Sequence, residues 1–548
     1  MILKNKFLIS SLIVLIAIFT FIPLLGKVHL FDWDEINFAE SAREMIYSGN
    51  FSRVQINYKP FWEKPPLFFW MQAVAMNVFG INEFAARFPN AICGVLSLLF
   101  VFYIGQKKYD LKFGLIWFLS YYGSILPSLY FRTGIIDPFF NLFIYIGIYF
   151  LYIGHLTISV NSFLISGVWT GIAVLTKGPV AGLIITLCLI MYYLLGRLKN
   201  IPPIRHIIIF YITSISISLI WFGFETFKNG TWFITEFIQY HIELFSTSQA
   251  GHGQPFYYHP IVLLMGCYPA SIFAVYYLVN TNLIKQLFSD EFIKWQYILF
   301  FVVLILFSIV KTKILHYSSL CYFPLTFFAA YSIHKQATSS VRYSKFILSL
   351  LFFIGFVYSL FLGFLPYVTS NKELFSQFIE DIYIKSVYSQ IIDWGKYEFG
   401  IGFFYISVII TSIYYLYNKK TILGSSILFS GTSLLLILIQ ILIIPKLEKV
   451  LQAGPISFYQ SLKDKDCYIE VLGFKSFAYL FYSDKKPYKS VETTNKQWLL
   501  FGQIDKPAYF VSKIGKADEL ILIKDLIKIK EENGFIYYLR MPINNHDK

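Results

Sequence analysis

The chain has 548 residues, of which 56% are hydrophobic and only 14% charged, against a charged share of about 25% in soluble domains. That balance excludes an ordinary water-soluble globule. The formal charge of +14 does not imply a nucleic-acid partner, because Lys and Arg gather in short loops between apolar runs, where they set membrane topology. The five cysteines (Cys93, Cys188, Cys267, Cys321 and Cys467) are scattered with no CxxC pair, so neither a metal cluster nor a disulfide framework is indicated.

A bilayer core about 30 Å thick takes roughly 20 apolar residues of helix. Lys4 and Lys6 precede the apolar run Phe7 to Gly26. That run is longer than a signal-peptide core of about 7–15 residues and has no small-residue cleavage site after it, so it reads as a retained first span. Further runs lie near 89–106, 113–131, 135–154, 159–176, 178–196, 206–226, 259–280, 295–311, 318–334, 345–367, 399–418 and 422–445. The expected fold is mainly α: a polytopic transmembrane helical bundle of about 13 spans over residues 1–445. From Lys446 the texture changes to short β-rich runs (Cys467 to Phe474, Tyr509 to Ser512, Leu520 to Ile523) mixed with Lys and Asp. Residues 446–548 therefore read as a small α/β domain outside the bilayer.

Orientation follows from loop charge. With the N-terminus in the cytoplasm, alternate loops place Lys107, Lys108 and Lys112 inside, then Arg197, Lys199 and Arg205, then Lys285 and Lys294. Lys335, Arg342 and Lys345 follow, and finally Lys419 and Lys420. The loop near His155 alone lacks basic residues. This arrangement is that of a multi-pass protein of a bacterial-type inner membrane, with its C-terminal domain extracytoplasmic. The unusual polar motifs all fall in the complementary, outer loops: segment 27–88, Arg132 to Asp137, Lys177, segment 227–258, and Lys311 to Tyr317. Five segments gathered on one face suggest one composite site.

Segment 27–88 carries Asp34-Glu35, where acidic side chains suit a helix N-terminus. Residues 35–47 alternate apolar and charged at helical spacing, and Leu67 to Phe79 is strongly apolar, so both are expected to lie as amphipathic helices in the interface. Between them, Glu63-Lys64-Pro65-Pro66 is a rigid turn holding a carboxylate and an ammonium at the membrane surface. Asp137 precedes Pro138, a good capping sequence. Lys64, Arg132, Lys177, Lys311 and Lys313 are either anion ligands or head-group anchors. Glu63 and His316 supply oxygen and nitrogen donors of the kind zinc accepts, whereas His252 and His259 flank a Gly-Gln-Pro turn.

The string Asp34-Glu35, Phe38-Ala39-Glu40, Arg43-Glu44-Met45, Trp62-Glu63-Lys64-Pro65-Pro66 and Phe79-Gly80-Ile81-Asn82-Glu83-Phe84-Ala85-Ala86-Arg87 resembles the aminoarabinose-transferase and protein-mannosyltransferase group. The likeness continues at Gly134 to Pro138, Leu175 to Pro179, Gly251 to Tyr258 and Lys313 to Tyr317. Phe38 departs from the Tyr more usual there. The resemblance implies a GT-C glycosyltransferase using a polyprenyl-phosphate sugar, inverting, with lipid A, a surface glycan or a protein as acceptor. Such chemistry needs cations for the leaving phosphate and a base for a hydroxyl nucleophile. Asp34 is expected as the base or acceptor-positioning carboxylate, with Glu35 and Asp137 in support. Glu63, Lys64, Arg132, Lys177, Lys313 and Tyr317 are expected to bind substrate. The resemblance also favours a divalent ion such as zinc on Glu63 and His316, although other relatives need no cofactor. The rival reading, a transporter or lipid flippase, calls for ionisable residues deep within spans and repeated halves, neither of which the sequence displays. A non-catalytic scaffold leaves the Glu-Lys-Pro-Pro turn unexplained.

Overall fold

A computed structural model of the chain describes residues 6–197, 201–247, 253–279, 289–339, 342–487, 495–516, 523 and 525–542. Lys4, Lys199, His252 and Lys285 lie outside the described residues. Every one of the thirteen apolar runs falls on a helix or a broken helix: α1 (Lys6–Phe21), α4 (Glu83–Lys108), α5 (Leu111–Tyr122) with α6 (Ile125–Leu129), α7 (Asp137–Thr157), α8 (Val160–Lys177), α9 (Val180–Leu195), α10 (Ile204–Asn229), α12 (Tyr258–Gly266) with α13 (Ala270–Val279), and the helices Glu291–Ile309, Tyr322–Ser339, Lys345–Ser370, Lys396–Tyr417 and Thr421–Leu438. Eight helices among the described residues are long and apolar enough to cross a membrane unaided. The others are short, broken or more polar. One break falls at Pro269, which has no N–H to continue the helical ladder.

The bundle packs through aromatic rings and small residues. Tyr145 stacks on Phe323 with centroids 4.2 Å apart, and the buried Trp117 donates its Nε1–H to Thr326 Oγ1 at 3.2 Å. At the α8–α10 crossing, a Cβ on Gly167 would lie 2.6 Å from Phe210 O, and one on Gly171 2.6 Å from Ile217 Cβ. Glycine there lets the backbones approach as close contact between membrane helices requires. The opposite side of α10 displays Ile208, Ile212, Ile215 and Leu219, as a helix bordering lipid should.

The last span differs from expectation. A boundary at 445/446 falls inside a continuous rod of 31 residues, Thr421–Leu451, in which a π turn, Ile439–Ile443, joins the helix Ile444–Leu451. Pro445 removes one N–H from the ladder, and the wider turn absorbs the mismatch. The rod thus carries the chain directly into the C-terminal domain. There β3 (Tyr468–Leu472) pairs parallel with β4 (Ala508–Lys513), and the sheet runs in the order β3-β4-β6-β5. The remaining strands are β5 (Ile527–Glu532) and β6 (Phe535–Arg540). The expected run at Leu520 to Ile523 lies outside the described residues except for Ile523, and β5 and β6 were not foreseen.

Segment 27–88 forms α2 (Asp34–Ser48), the small hairpin β1 (Gln55–Ile56) and β2 (Lys59–Pro60), and α3 (Leu67–Phe79). α3 keeps an open face, burying Phe68, Phe69 and Gln72 while Val74 and Val78 stay exposed. α2 does not. Residues 35–45 are all buried, because the C-terminal domain covers its polar side. Ile36, Ala39 and Ala42 share a hydrophobic cluster with Ile456, Tyr459 and Leu480. Arg43 reaches Asp484 at 3.1 Å and the Lys485 carbonyl at 2.8 Å, and Trp33 packs on Phe477. The alternating charges of α2 thus serve a protein interface instead of a membrane surface.

Candidate active site

Helix starts and stops place the site's side chains. Asp34 opens α2 and Asp137 opens α7, where the helix dipoles favour carboxylates. Lys177 closes α8, the end that favours a cation. Gly178 then turns with φ +103, and a Cβ there would meet Phe237 Cζ at 2.9 Å. Only glycine fits between the lysine and Pro179.

These ends converge. Lys177 Nζ lies 2.5 Å from Asp137 Oδ1, with its ammonium over the rings of Tyr317 at 5.1 Å and Phe140 at 5.6 Å. His316 Nε2 stands between two carboxylates, 3.7 Å from Asp137 Oδ2 and 3.8 Å from Asp34 Oδ2. Both gaps are beyond hydrogen-bond range. Burial lowers the pKa of His316; Asp137 and Asp34 oppose that, and Lys177 and Lys64 add to it.

Lys64 enters from the other side. Its ammonium lies over the Tyr240 ring at 5.1 Å and donates to the Glu63 carbonyl at 3.3 Å. Burial is the chief cause lowering its pKa; Glu63 resists, Lys177 pushes it further down, and Asp34 and Asp137 resist again. Lys177 is paired with Asp137, whereas Lys64 makes no ion pair within 4 Å among the described residues, so its ammonium is open to an incoming phosphate. The Glu63 carboxylate accepts from Tyr240 Oη–H at 2.8 Å. Tyr240 and its neighbour His241 belong to α11 (Trp232–Ser246) and were not singled out from sequence. His241 gives Nδ1 to the Phe237 carbonyl at 2.7 Å, and burial, then Lys64, brings its pKa down to about 4. An apolar stretch with one Tyr-His pair offers little signal by itself.

Other expected site residues go elsewhere. Glu35, one residue from Asp34, turns inward. It binds Arg87 Nη2 at 2.8 Å and Nε at 3.0 Å, and it accepts the N–H groups of Phe31 at 2.9 Å and Gly134 at 2.5 Å. Burial opposes its charge, but Arg87 and those N–H groups win and hold its pKa below the usual carboxylate range. With its oxygens committed, Glu35 serves as a structural pin that ties the loop before Asp137 to α2. Lys313 is buried with its ammonium on the Val310 carbonyl at 2.8 Å, and Lys311 is exposed. His259 hydrogen-bonds Ser318 at 3.1 Å. Arg132 is buried in a separate cavity.

The pair expected to hold a metal, Glu63 and His316, does not converge. Among the described residues no group of three or more His, Cys, Asp or Glu is arranged to hold an ion. Glu63 is engaged by Tyr240, Asp137 by Lys177, and the carboxylates within 4 Å of His316 are Asp34 and Asp137, not Glu63.

The fold has known counterparts. A family described as dolichyl-phosphate-mannose-protein mannosyltransferase matches residues 63–221. An undecaprenyl phosphate-alpha-4-amino-4-deoxy-L-arabinose arabinosyl transferase of Photorhabdus laumondii is 26% identical over 75% of this chain and 72% of its own. The same-named protein of Wigglesworthia glossinidia brevipalpis is 26% identical over 61% of this chain, and the match spans only 59% of that relative. The crystal structure of ArnT from Cupriavidus metallidurans in the apo state superposes with a TM-score of 0.76 at 16% identity, covering 96% of this chain and 97% of the other. The ArnT structure bound to undecaprenyl phosphate gives a TM-score of 0.71. The chain therefore has the fold of the ArnT crystal structures. In sequence it is similar to the arabinosyl transferases.

Proposed function

We propose that the protein moves a sugar from a polyprenyl-phosphate donor to an acceptor outside the cytoplasmic membrane. The observation that carries this reading is the convergence of Asp34, Asp137, Lys64, Lys177, His316 and Tyr317 from four separate outer segments. Lys64 and Lys177 hold the donor phosphate. The bond from the anomeric carbon to the phosphate oxygen breaks, and its electron pair leaves with the phosphate, whose growing charge the two ammonium groups stabilise. The acceptor oxygen attacks the opposite face of the sugar, which inverts the anomeric centre. Where the acceptor is a hydroxyl, its proton passes to Asp34, the carboxylate of the pair that is partly open to solvent and free of a lysine partner. Asp137 fixes Lys177 and faces His316. No step runs through a metal ion.

The relatives' names make 4-amino-4-deoxy-L-arabinose on undecaprenyl phosphate the first donor to test, with lipid A as first acceptor and surface glycan or protein after it. Purified protein incubated with donor and acceptor, with products read by mass spectrometry, tests the reading directly. A deletion strain whose envelope lipids and glycans are unchanged, together with no transfer in vitro, would sink it. The orientation is tested by single cysteines in intact cells: Thr231→Cys and Ser461→Cys should react with an impermeant thiol reagent and Ser339→Cys should not.

A further inference from the structure

On the far side of the Glu35–Arg87 pair lies a cavity of about 260 Å3, walled by Leu24, Leu126, Leu129 and Ile444 and bordered by Lys27 and Arg132. It shares no lining residue with the Asp34–Lys177 cluster. Arg132 is 5% exposed, yet none of its three guanidinium nitrogens has a hydrogen-bond partner. The Phe21 ring centroid lies 5.7 Å from its guanidinium carbon, a contact that leaves the in-plane N–H groups unanswered.

Two other buried arginines of the outer region show what this fold does with such a group. Arg43 binds Glu40, Asp484 and the Lys485 carbonyl. Arg87 binds Glu35 and the carbonyls of Leu25, Val28 and His29. Burying a charge without a partner is strongly unfavourable, so an arginine left open in a cavity is shaped for an anion from outside the chain. The carboxylate lining the same cavity, Glu35, is committed to Arg87 and two backbone N–H groups and cannot supply it.

We propose that this cavity binds the phosphate headgroup of a membrane lipid, with the open guanidinium fork of Arg132 as its ligand. A planar guanidinium presents paired donors that match two phosphate oxygens at once. Lys27, whose ammonium rests on the Ile441 carbonyl at 3.2 Å, adds a second cation at the rim. The leucine and isoleucine walls suit the start of a lipid chain better than a hydrated free ion. The site lies where α1 ends and α7 is about to begin. It is distinct from the donor-phosphate lysines and does not depend on the transfer reaction. A lipid held there would bear on the Arg132 to Asp137 loop that Glu35 anchors through Gly134.

The test uses the full chain, purified and stripped of lipid in a neutral detergent, with no sugar donor present. Dioleoyl phosphatidic acid, dioleoylglycerol and inorganic phosphate are titrated separately, and the thermal midpoint is followed. Phosphatidic acid should raise the midpoint of the wild type, while the neutral lipid and inorganic phosphate should not. Arg132→Met should lose that response while the lipid-free variant unfolds no earlier than wild type, since an unpartnered charge has been removed. Arg132→Lys, which keeps a charge but not the fork, should weaken apparent affinity by roughly 10-fold or more, the effect of losing one charge-assisted contact. Equal responses to both lipids, or a full response in Arg132→Met, would overturn the proposal. A response reproduced by inorganic phosphate alone would overturn the lipid and leave a free-anion site.

Discussion

Asp34 and Glu35 are neighbours in sequence and belong to two regions built on opposite terms. Around Glu35, the ionic core under α2 is saturated: Glu35 with Arg87, Arg43 with Glu40 and Asp484, and Glu44 on the N–H groups of Asn57 and Tyr58 at 2.6 and 2.7 Å. Around Asp34, contacts are few and long, and Lys64 has no ion-pair partner within 4 Å among the described residues. One region holds the C-terminal domain to the bundle. The other is left electrostatically incomplete, as a site that receives a charged ligand must be.

The largest expected effect is at Asp34. Asp34→Asn should fold normally yet lose about 10²- to 10⁴-fold in rate with a hydroxyl acceptor, the usual contribution of a positioned base. With a phosphate acceptor, already ionised near pH 7, the loss should be milder and the acid limb of the pH–rate profile flat. A profile of wild type and variant at saturating donor reads this. Full activity at every pH would reduce Asp34 to the first residue of a helix.

Glu35→Ala should do the reverse. It strands the buried Arg87, and breaking a buried pair costs about 3–5 kcal/mol, so folded protein should fall sharply in detergent extracts. If Glu35→Ala folds like wild type and only its turnover drops, the contrast between the two regions fails.

Lysine variants come next. Lys64→Ala and Lys177→Ala should each slow turnover roughly 10- to 150-fold, the equivalent of about 1.5–3 kcal/mol for one charge-assisted contact, with abundance nearly unchanged. Normal rates in both would leave them as membrane-surface anchors.

The ionic core also predicts a pH effect on stability. Burial first, then the like charge of Glu40, raises Glu44 to about 9. A carboxyl whose folded pKa lies above its unfolded value contributes stability that is lost as pH rises from the unfolded value through the folded one. The thermal midpoint should therefore decline between about pH 5 and pH 9, and Glu44→Gln should flatten that slope. An unchanged slope would mean that Glu44 does not hold its proton there.

The smallest effect is at the domain contact. Phe477→Ala removes a ring 5.2 Å from Trp33, and an aromatic pair is worth about 0.5–1.5 kcal/mol beyond its buried area. A drop of a few degrees in the midpoint with activity retained is expected. A complete loss of activity would show that the C-terminal domain orders the start of α2 for catalysis.

Much was legible in the sequence because membrane insertion acts on single segments. Each span must satisfy its own backbone in lipid, so apolar length located all thirteen helical regions, and loop charge sorted the polar motifs onto one face. Turn chemistry marked Lys177-Gly178-Pro179 and Asp137-Pro138 for the same local reason. What sequence could not rank was which charged residues meet. Asp34 and Glu35 differ by one position on a helix, about 100° of rotation, and only the packing of α4 decides that Glu35 faces Arg87. The alternating charges of α2 fit a membrane surface equally well until the C-terminal domain, more than 400 residues later, is laid over them. Tyr240 and Glu44 became distinctive only through partners supplied by distant segments. Local hydropathy and turn preference reside in the chain itself, whereas pairing of buried charge is a property of where separate segments come to rest.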